Sequence, residues 1–545
     1  MQSPKFFVRD ATGLVREFGA LDVLLIASAM VFALVFTTTQ FAWFYGWTGG
    51  ANLPVSLLVA AIPFVFLMIS YWAIGLAMPR TGSDYVWVSR VFGAPIGFAW
   101  ALLYMLIVFL VAYVGEIASF SYAFSITLTT TGLKGFANSP SLTNLGTYLG
   151  TPNGTFILAT IFTIIFGLFA TFGSRFVKGV IYVSWAAAII GMVLMWYILG
   201  TTSLSTFQQH WNTVLVQQAG LGQNASYSSL QNNAIALNAP TTLGGISAGA
   251  ITVALPLASL FLFGGNYVNA FAGEIKGVRR SIPIALFLSL IFGIIYWSIT
   301  STLTLNTVGA SWITDVGYSW DKGLSSYVLP YPPSQPLILA VSAYGNNALI
   351  YLMFVTYLLG SIAPLFAYFW IPSKYFFAWS FDRAIPAKFS NISQRFHTPY
   401  WSILSIVVLG IGLSAIYNYL GWATTFTIGT IIWGLAYVIP GLAVMAFPFV
   451  KKDLFERAPG FVKARAGGVP VVSIFGALTA IGFGYMGYIA YGVPAVGWSQ
   501  AAAVLTSEVV VITVAVGLVV YFAMKAYYRS KGIDIGLAFK EIPPE

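Results

Sequence analysis

The chain has 545 residues, 58% hydrophobic and 7% charged, with a mean hydropathy of +0.84, a composition that excludes a water-soluble globular domain. Its formal net charge of +10 comes in no stretch that combines basic residues with exposed stacking aromatics, which points to anionic lipid headgroups and topology and away from nucleic acid. With no cysteine and only His210 and His397, it has neither disulfides nor a thiolate or histidine metal site.

Apolar runs follow one another at 21–45, 53–78, 95–127, 155–173, 179–200, 247–272, 282–304, 338–371, 400–420, 422–449, 469–491 and 501–524. Each is about long enough to cross a hydrocarbon core, which takes roughly 20 helical residues. The pattern predicts an all-α polytopic membrane protein with twelve spans. Of its 25 Lys and Arg, all but Lys134 and Lys322 fall before the first run, in every second gap or after the last run. Bias against translocating Lys and Arg makes that side cytoplasmic, with both termini inside a cytoplasmic membrane. The gaps on the other side are long and polar, at 128–154, 201–246 and 305–337, and hold the acceptor tripeptides at Asn153 and Asn224. No gap is long enough for a soluble domain. No G-x-x-x-x-G-K-[ST] loop occurs, which excludes a self-contained ATP-driven pump.

A helical bundle of this kind binds its cargo where spans break at mid-membrane. In the sixth run, Phe261-Leu262-Phe263-Gly264-Gly265-Asn266 sets two glycines inside an apolar helix, each costing roughly 1 kcal/mol of helix propensity. Close helix packing through small residues would use the same pair. The run continues into Glu274-Ile275-Lys276-Gly277-Val278-Arg279-Arg280 and then Pro283. Two more segments stand out. One is Met78-Pro79-Arg80-Thr81-Gly82-Ser83-Asp84-Tyr85 on to Arg90 after the second run. The other is Pro372-Ser373-Lys374 on to Pro386 after the eighth, with Thr398-Pro399 behind it.

Together these segments resemble the amino acid–polyamine–organocation permeases over the whole chain. The resemblance implies the fold of the sodium-coupled leucine transporters. Residues 21–200 would form one five-helix repeat, 247–449 its inverted copy, and 469–528 two peripheral helices. It implies a secondary transporter, symporter or exchanger, of amino acids or related amines, working by alternating access and without covalent chemistry. A substrate carboxylate would lie at a half-helix N-terminus and its ammonium against carbonyls at a half-helix C-terminus. Ser28, Ala29 and Ala33 of the first span and Phe261, Phe263, Gly264, Gly265 and Asn266 of the sixth would line that site.

The first span departs from the family's glycine-rich break: no glycine occurs from Leu21 to Tyr45. The expectation is that it unwinds near Ser28–Val35 all the same, with the hydroxyls of Thr37-Thr38-Thr39 available to its backbone. Glu116 is the one acid well inside a span, a candidate proton carrier or partner for a substrate ammonium, or an acid reaching headgroup water. Residues 179–200 contain no lysine, which leaves Na+, H+ or no coupling ion. A Na+ site would draw on hard oxygens, with Thr356 and Ser361 as candidates, although such hydroxyls also bond their own helix turn. Asp84, Arg90, Glu274 and Arg280 are candidates for ion pairs of a cytoplasmic gate. No cofactor is expected; the partners are a small-molecule substrate and lipid, with the protein a monomer or homodimer. The alternatives are a nucleobase or organic acid as cargo of the same fold, or a ligand sensor that does not transport.

Overall fold

The structure, a computed structural model, describes residues 14–32, 34, 37–422, 433–492 and 500–539, with backbone only at 107–109, 433, 492 and 500–503. The first expected span is two helices, α1 (Ala20–Val31) and α2 (Thr37–Thr48), and the spans below keep the numbers of the expected runs. The second is α3 (Leu53–Ala77), started by Asn52, whose side-chain oxygen accepts from Val55 N–H. The loop after it folds as α4 (Ser83–Val91). The third span runs from α5 (Ala94–Tyr104) through a π-helical stretch, Met105–Val111, into α6 (Ala112–Gly132). After α7 (Pro140–Leu149) come α8 (Pro152–Thr171) and α9 (Ser174–Thr201). The long polar segment holds α10 (Leu204–Trp211) and α11 (Tyr227–Ala236).

The sixth span is α12 (Ala248–Leu260) followed by a 3₁₀ segment, Gly265–Glu274. Then come α13 (Val278–Val308), α14 (Ala310–Asp321) and α15 (Gln335–Ser342). The eighth span is built from α16 (Asn347–Gly360), α17 (Ile362–Trp370) and α18 (Pro372–Phe381), and α19 (Tyr400–Tyr419) is the ninth. The last elements are α20 (Val438–Val450), α21 (Lys452–Arg457), the hairpin β1 (Arg465–Ala466) with β2 (Val469–Pro470), α22 (Val471–Gly492) and α23 (Gln500–Ser530).

Among the described residues, nine helical stretches are long and apolar enough to cross a membrane. Three shorter apolar helices, Ala20–Val31, Ala94–Tyr104 and Gly434–Val450, fall on the first, third and tenth expected spans. The chain is an all-α, multi-pass membrane protein. Residues 423–432 of the tenth expected span lie outside the described residues.

One boundary moves. The eighth span, expected at 338–371, begins instead at Asn347, because the apolar stretch Gln335–Ser342 is a separate helix and Asn346 caps the next by accepting from Leu349 N–H. It then continues to Phe381 through what reads in the sequence as a loop. Pro372 is tolerated there because it sits in the first turn of α18, where a missing N–H has no partner to lose.

The sixth span is the most enclosed, with 72% of its apolar window buried, against 17% for the last. The interrupted sixth stretch therefore runs through the centre of the bundle.

Candidate functional site

The first break needs no glycine because side chains take over the carbonyls that helix formation would have satisfied. α1 stops at Val31, and Phe32 leaves the helical region (φ −106°, ψ 57°) while its N–H still donates to Ser28 O. Trp297 of α13 donates its indole N–H to Val31 O at 2.9 Å, and Trp185 of α9 donates to Leu25 O at 2.7 Å. On the far side Thr37 donates its hydroxyl to Leu34 O at 2.7 Å. The Thr37 and Thr38 hydroxyls also meet Tyr357 Oη at 2.7 and 2.9 Å. The Phe32 ring stacks on Trp185 and meets Tyr296 edge-on. The break thus starts after Ser28 and Ala29, which stay helical and buried. Ala33 lies outside the described residues.

The second break is made by glycine. Gly264 has φ 117° and ψ −34°, a conformation that an L side chain strains to adopt. It also packs against the end of α1: a Cβ on Gly264 would stand 2.6 Å from Met30 Cβ. A Cβ on Gly265 would stand 2.4 Å from Ser289 Oγ. The two interruptions therefore abut. Phe261 lies parallel to Phe41 and edge-on to Trp297, and Phe263 packs on Tyr267 and Tyr368. Asn266 accepts from Tyr437 Oη at 3.1 Å, and its Nδ2 is buried with no partner among the described residues.

On the side away from the basic residues, a cavity of about 570 Å³ reaches α2 and α6, lined by Thr39, Trp43, Ser119, Tyr122, Trp320 and Tyr331 among others. Glu116 lies three residues from Ser119 on α6, one turn toward the middle of the bundle and just after the π-helical stretch. It is 6% exposed, within electrostatic reach of Tyr357 and Tyr368. Its Oε2 has no partner among the described residues. Glu116 is therefore an interior carboxyl and does not reach headgroup water.

The side bearing the basic residues is shut. A cavity there, against Glu17, Glu274 and Lys374, measures about 30 Å³, room for roughly one water. The Phe18, Phe271 and Trp370 rings close on one another with centroids 5.1–5.6 Å apart. The N–H groups of Glu17 and Phe18 donate to Glu274 O, and Lys276 N–H donates to Phe18 O, so the entry to α1 is clipped onto the end of the sixth span. Lys374 Nζ pairs with Glu274 Oε1 at 2.6 Å, and Arg90 pairs in bidentate fashion with Asp382 at 2.6 and 3.0 Å. The 3₁₀ turn Ile535–Phe539 covers the second pair, with Phe539 under the Arg90 guanidinium at 5.0 Å.

A family model described as Amino acid permease matches residues 21–521. The chain belongs to the amino acid permease family. It is also similar to the branched-chain amino acid permease BcaP of Bacillus subtilis (strain 168), with 21% identity over 471 residues that cover 84% of this chain and 85% of that one.

The permease thus sets Gly264 against Met30 at the end of α1, with Phe261 between Phe41 and Trp297, while Gly265 faces Ser289, Phe263 packs on Tyr267 and Tyr368, and Asn266 meets Tyr437. It partners the gate residues differently. Glu274 and Arg90 are buried in ion pairs, but with Lys374 and Asp382. Asp84 accepts only from hydroxyls and one amide. Arg280 is exposed, with no acid within ion-pair distance among the described residues, since it lies beyond the end of the clipped segment. Thr356 donates to Leu352 O and Met353 O, and Ser361 to Tyr357 O, so both hydroxyl protons are spent inside their own helix. Lys374, 2% exposed within an apolar stretch, was the signal that would have found the missing gate partner.

Proposed function

We propose that the permease is a secondary transporter carrying amino acids with apolar side chains across the cytoplasmic membrane by alternating access, with both termini inside. Twelve spans would be arranged as inverted repeats 21–200 and 247–449, with 469–528 peripheral. The observation that carries this reading is the contact of the two breaks at Met30 and Gly264, in the first helix of each proposed repeat. Backbone groups there suit the two charges of a zwitterion: carbonyls of the last turn of α1 other than that of Val31 for the ammonium, amides at the start of Gly265–Glu274 for the carboxylate. The unpartnered Asn266 Nδ2 adds a donor. Phe261 and Phe263 offer an apolar wall, in keeping with the branched-chain specificity in the name of the Bacillus relative.

Glu116, between the 570 Å³ cavity and the first break, draws the substrate ammonium inward. The shut basic side and the open opposite cavity correspond to a state facing outward.

The test is counterflow in proteoliposomes preloaded with leucine, isoleucine and valine. Saturable entry of the labelled amino acid is expected. No counterflow of any amino acid by folded protein would defeat the reading. Sodium and pH gradients imposed separately would name the coupling ion.

A further inference from the structure

We propose that Asp84 is the proton-binding group of the permease, protonated while the basic side is shut and deprotonated when that side opens to water. This rests on the transport reading above.

The Asp84 carboxyl is 1% exposed and accepts from donors on three elements. These are Tyr71 Oη of α3 at 3.0 Å, Tyr375 Oη of α18 at 2.6 Å, and Ser83 Oγ and Tyr85 N–H of α4, both at 3.1 Å. All are neutral. The cations nearby are committed elsewhere: Arg90 on its own helix to Asp382, and Lys374 of α18 to Glu274. The remaining titratable groups on the packed elements are Tyr104 of α5, Tyr267 of the 3₁₀ segment and Tyr437 ahead of α20, again hydroxyls. Among the described residues no cation stands within 4 Å of Asp84. A buried carboxylate without a cation is costly, and protonation removes that cost.

The position also couples Asp84 to both moving parts. Tyr375 lies beside the gate residue Lys374, so separating α18 from the sixth span wets the carboxyl. Gly82 N–H donates to Ala270 O at 2.9 Å, tying the Asp84 loop to the segment below the sixth-span break. Tyr437 bonds Asn266 at that break, and the rings of Tyr71 and Tyr104 lie 6.1 and 5.9 Å from it, so hydroxyls line the way from the break to Asp84.

Burial pushes the Asp84 carboxyl up to about 6 in the shut state. In water it returns toward about 4. A raised value in the shut state means that the proton is held more tightly there than after opening. Between those two values acid stabilises the shut state, and opening releases a proton to the basic side. Each cycle then moves one proton from the far side with the substrate.

The test uses the full chain in proteoliposomes with labelled leucine and a pH dye inside, under an imposed proton gradient, alongside counterflow. In the wild type, leucine entry should acidify the lumen. In Asp84→Asn the gradient-driven accumulation should fall at least tenfold relative to counterflow. Tyr375→Phe removes a donor that favours the carboxylate, so the midpoint of the pH dependence should rise by about half to one pH unit. That variant carries the test if Asp84→Asn does not fold. Proton-driven accumulation intact in Asp84→Asn, a midpoint in Tyr375→Phe that stays or falls, or wild-type uptake driven by sodium alone would each overturn the proposal. Absence of wild-type counterflow would show instead that the transport reading itself had failed.

Discussion

Trp297 and Val31, 266 residues apart, are joined by an indole N–H to carbonyl hydrogen bond of 2.9 Å at the point where the first span stops being helical. A tryptophan on a neighbouring helix does here what backbone flexibility does in a glycine break: it gives the unwound chain a stable end.

Trp297→Phe keeps most of the ring packing against Phe261 and removes the donor. The Val31 carbonyl is then buried without that partner, which costs about 1–3 kcal/mol. Thermal unfolding in detergent should show a lower midpoint, and counterflow should weaken.

Gly264→Ala combines a φ of 117° with a Cβ 2.6 Å from Met30 Cβ. Transport should drop at least tenfold. Gly179→Ala, in α9 with nothing within 4 Å of the added carbon, is the control and should transport normally.

Glu116→Gln keeps the shape and removes the carboxylate between the outer cavity and the first break. If this group attracts the ammonium, KM for leucine should rise about tenfold, a change worth about 1.4 kcal/mol, with a smaller effect on kcat. An unchanged KM would remove Glu116 from the substrate path.

Lys374→Met leaves Glu274 buried without its cation. Breaking a buried pair this way costs about 3–5 kcal/mol, charged here against the shut state. Because the chain is cysteine-free, Ala272→Cys, a buried position, reports on the gate. A membrane-impermeant maleimide applied from the basic side should label it slowly alone and rapidly when combined with Lys374→Met.

Much of this organisation was legible in the sequence, and what escaped was long-range. The Gly264-Gly265 break could be read because the adjacent pair leads into the acid–base run Glu274 to Arg280 and Pro283, which close packing alone does not require. The first break could be anticipated from Thr37-Thr38-Thr39, and Thr37 does satisfy Leu34 O. Its start after Val31 could not, since Trp297 takes the Val31 carbonyl from a distant helix. The gate acids and bases were visible as charges near apolar runs. Their pairing was not, because Arg90 and Asp382 meet only once the helices are packed, and Arg280 looks no different in sequence from Lys374. The eighth span was displaced because Gln335–Ser342 is apolar yet forms its own short helix.

The measurement that bears most directly on the paired breaks as substrate site is thiol protection at position 263. Phe263→Cys in the naturally cysteine-free chain, shown to retain counterflow, would be reacted with a small methanethiosulfonate with and without saturating leucine. Leucine should slow labelling several-fold, with half-protection near the KM for transport. Labelling that leucine leaves unchanged, in protein that still transports it, would place the substrate elsewhere and contradict the assignment.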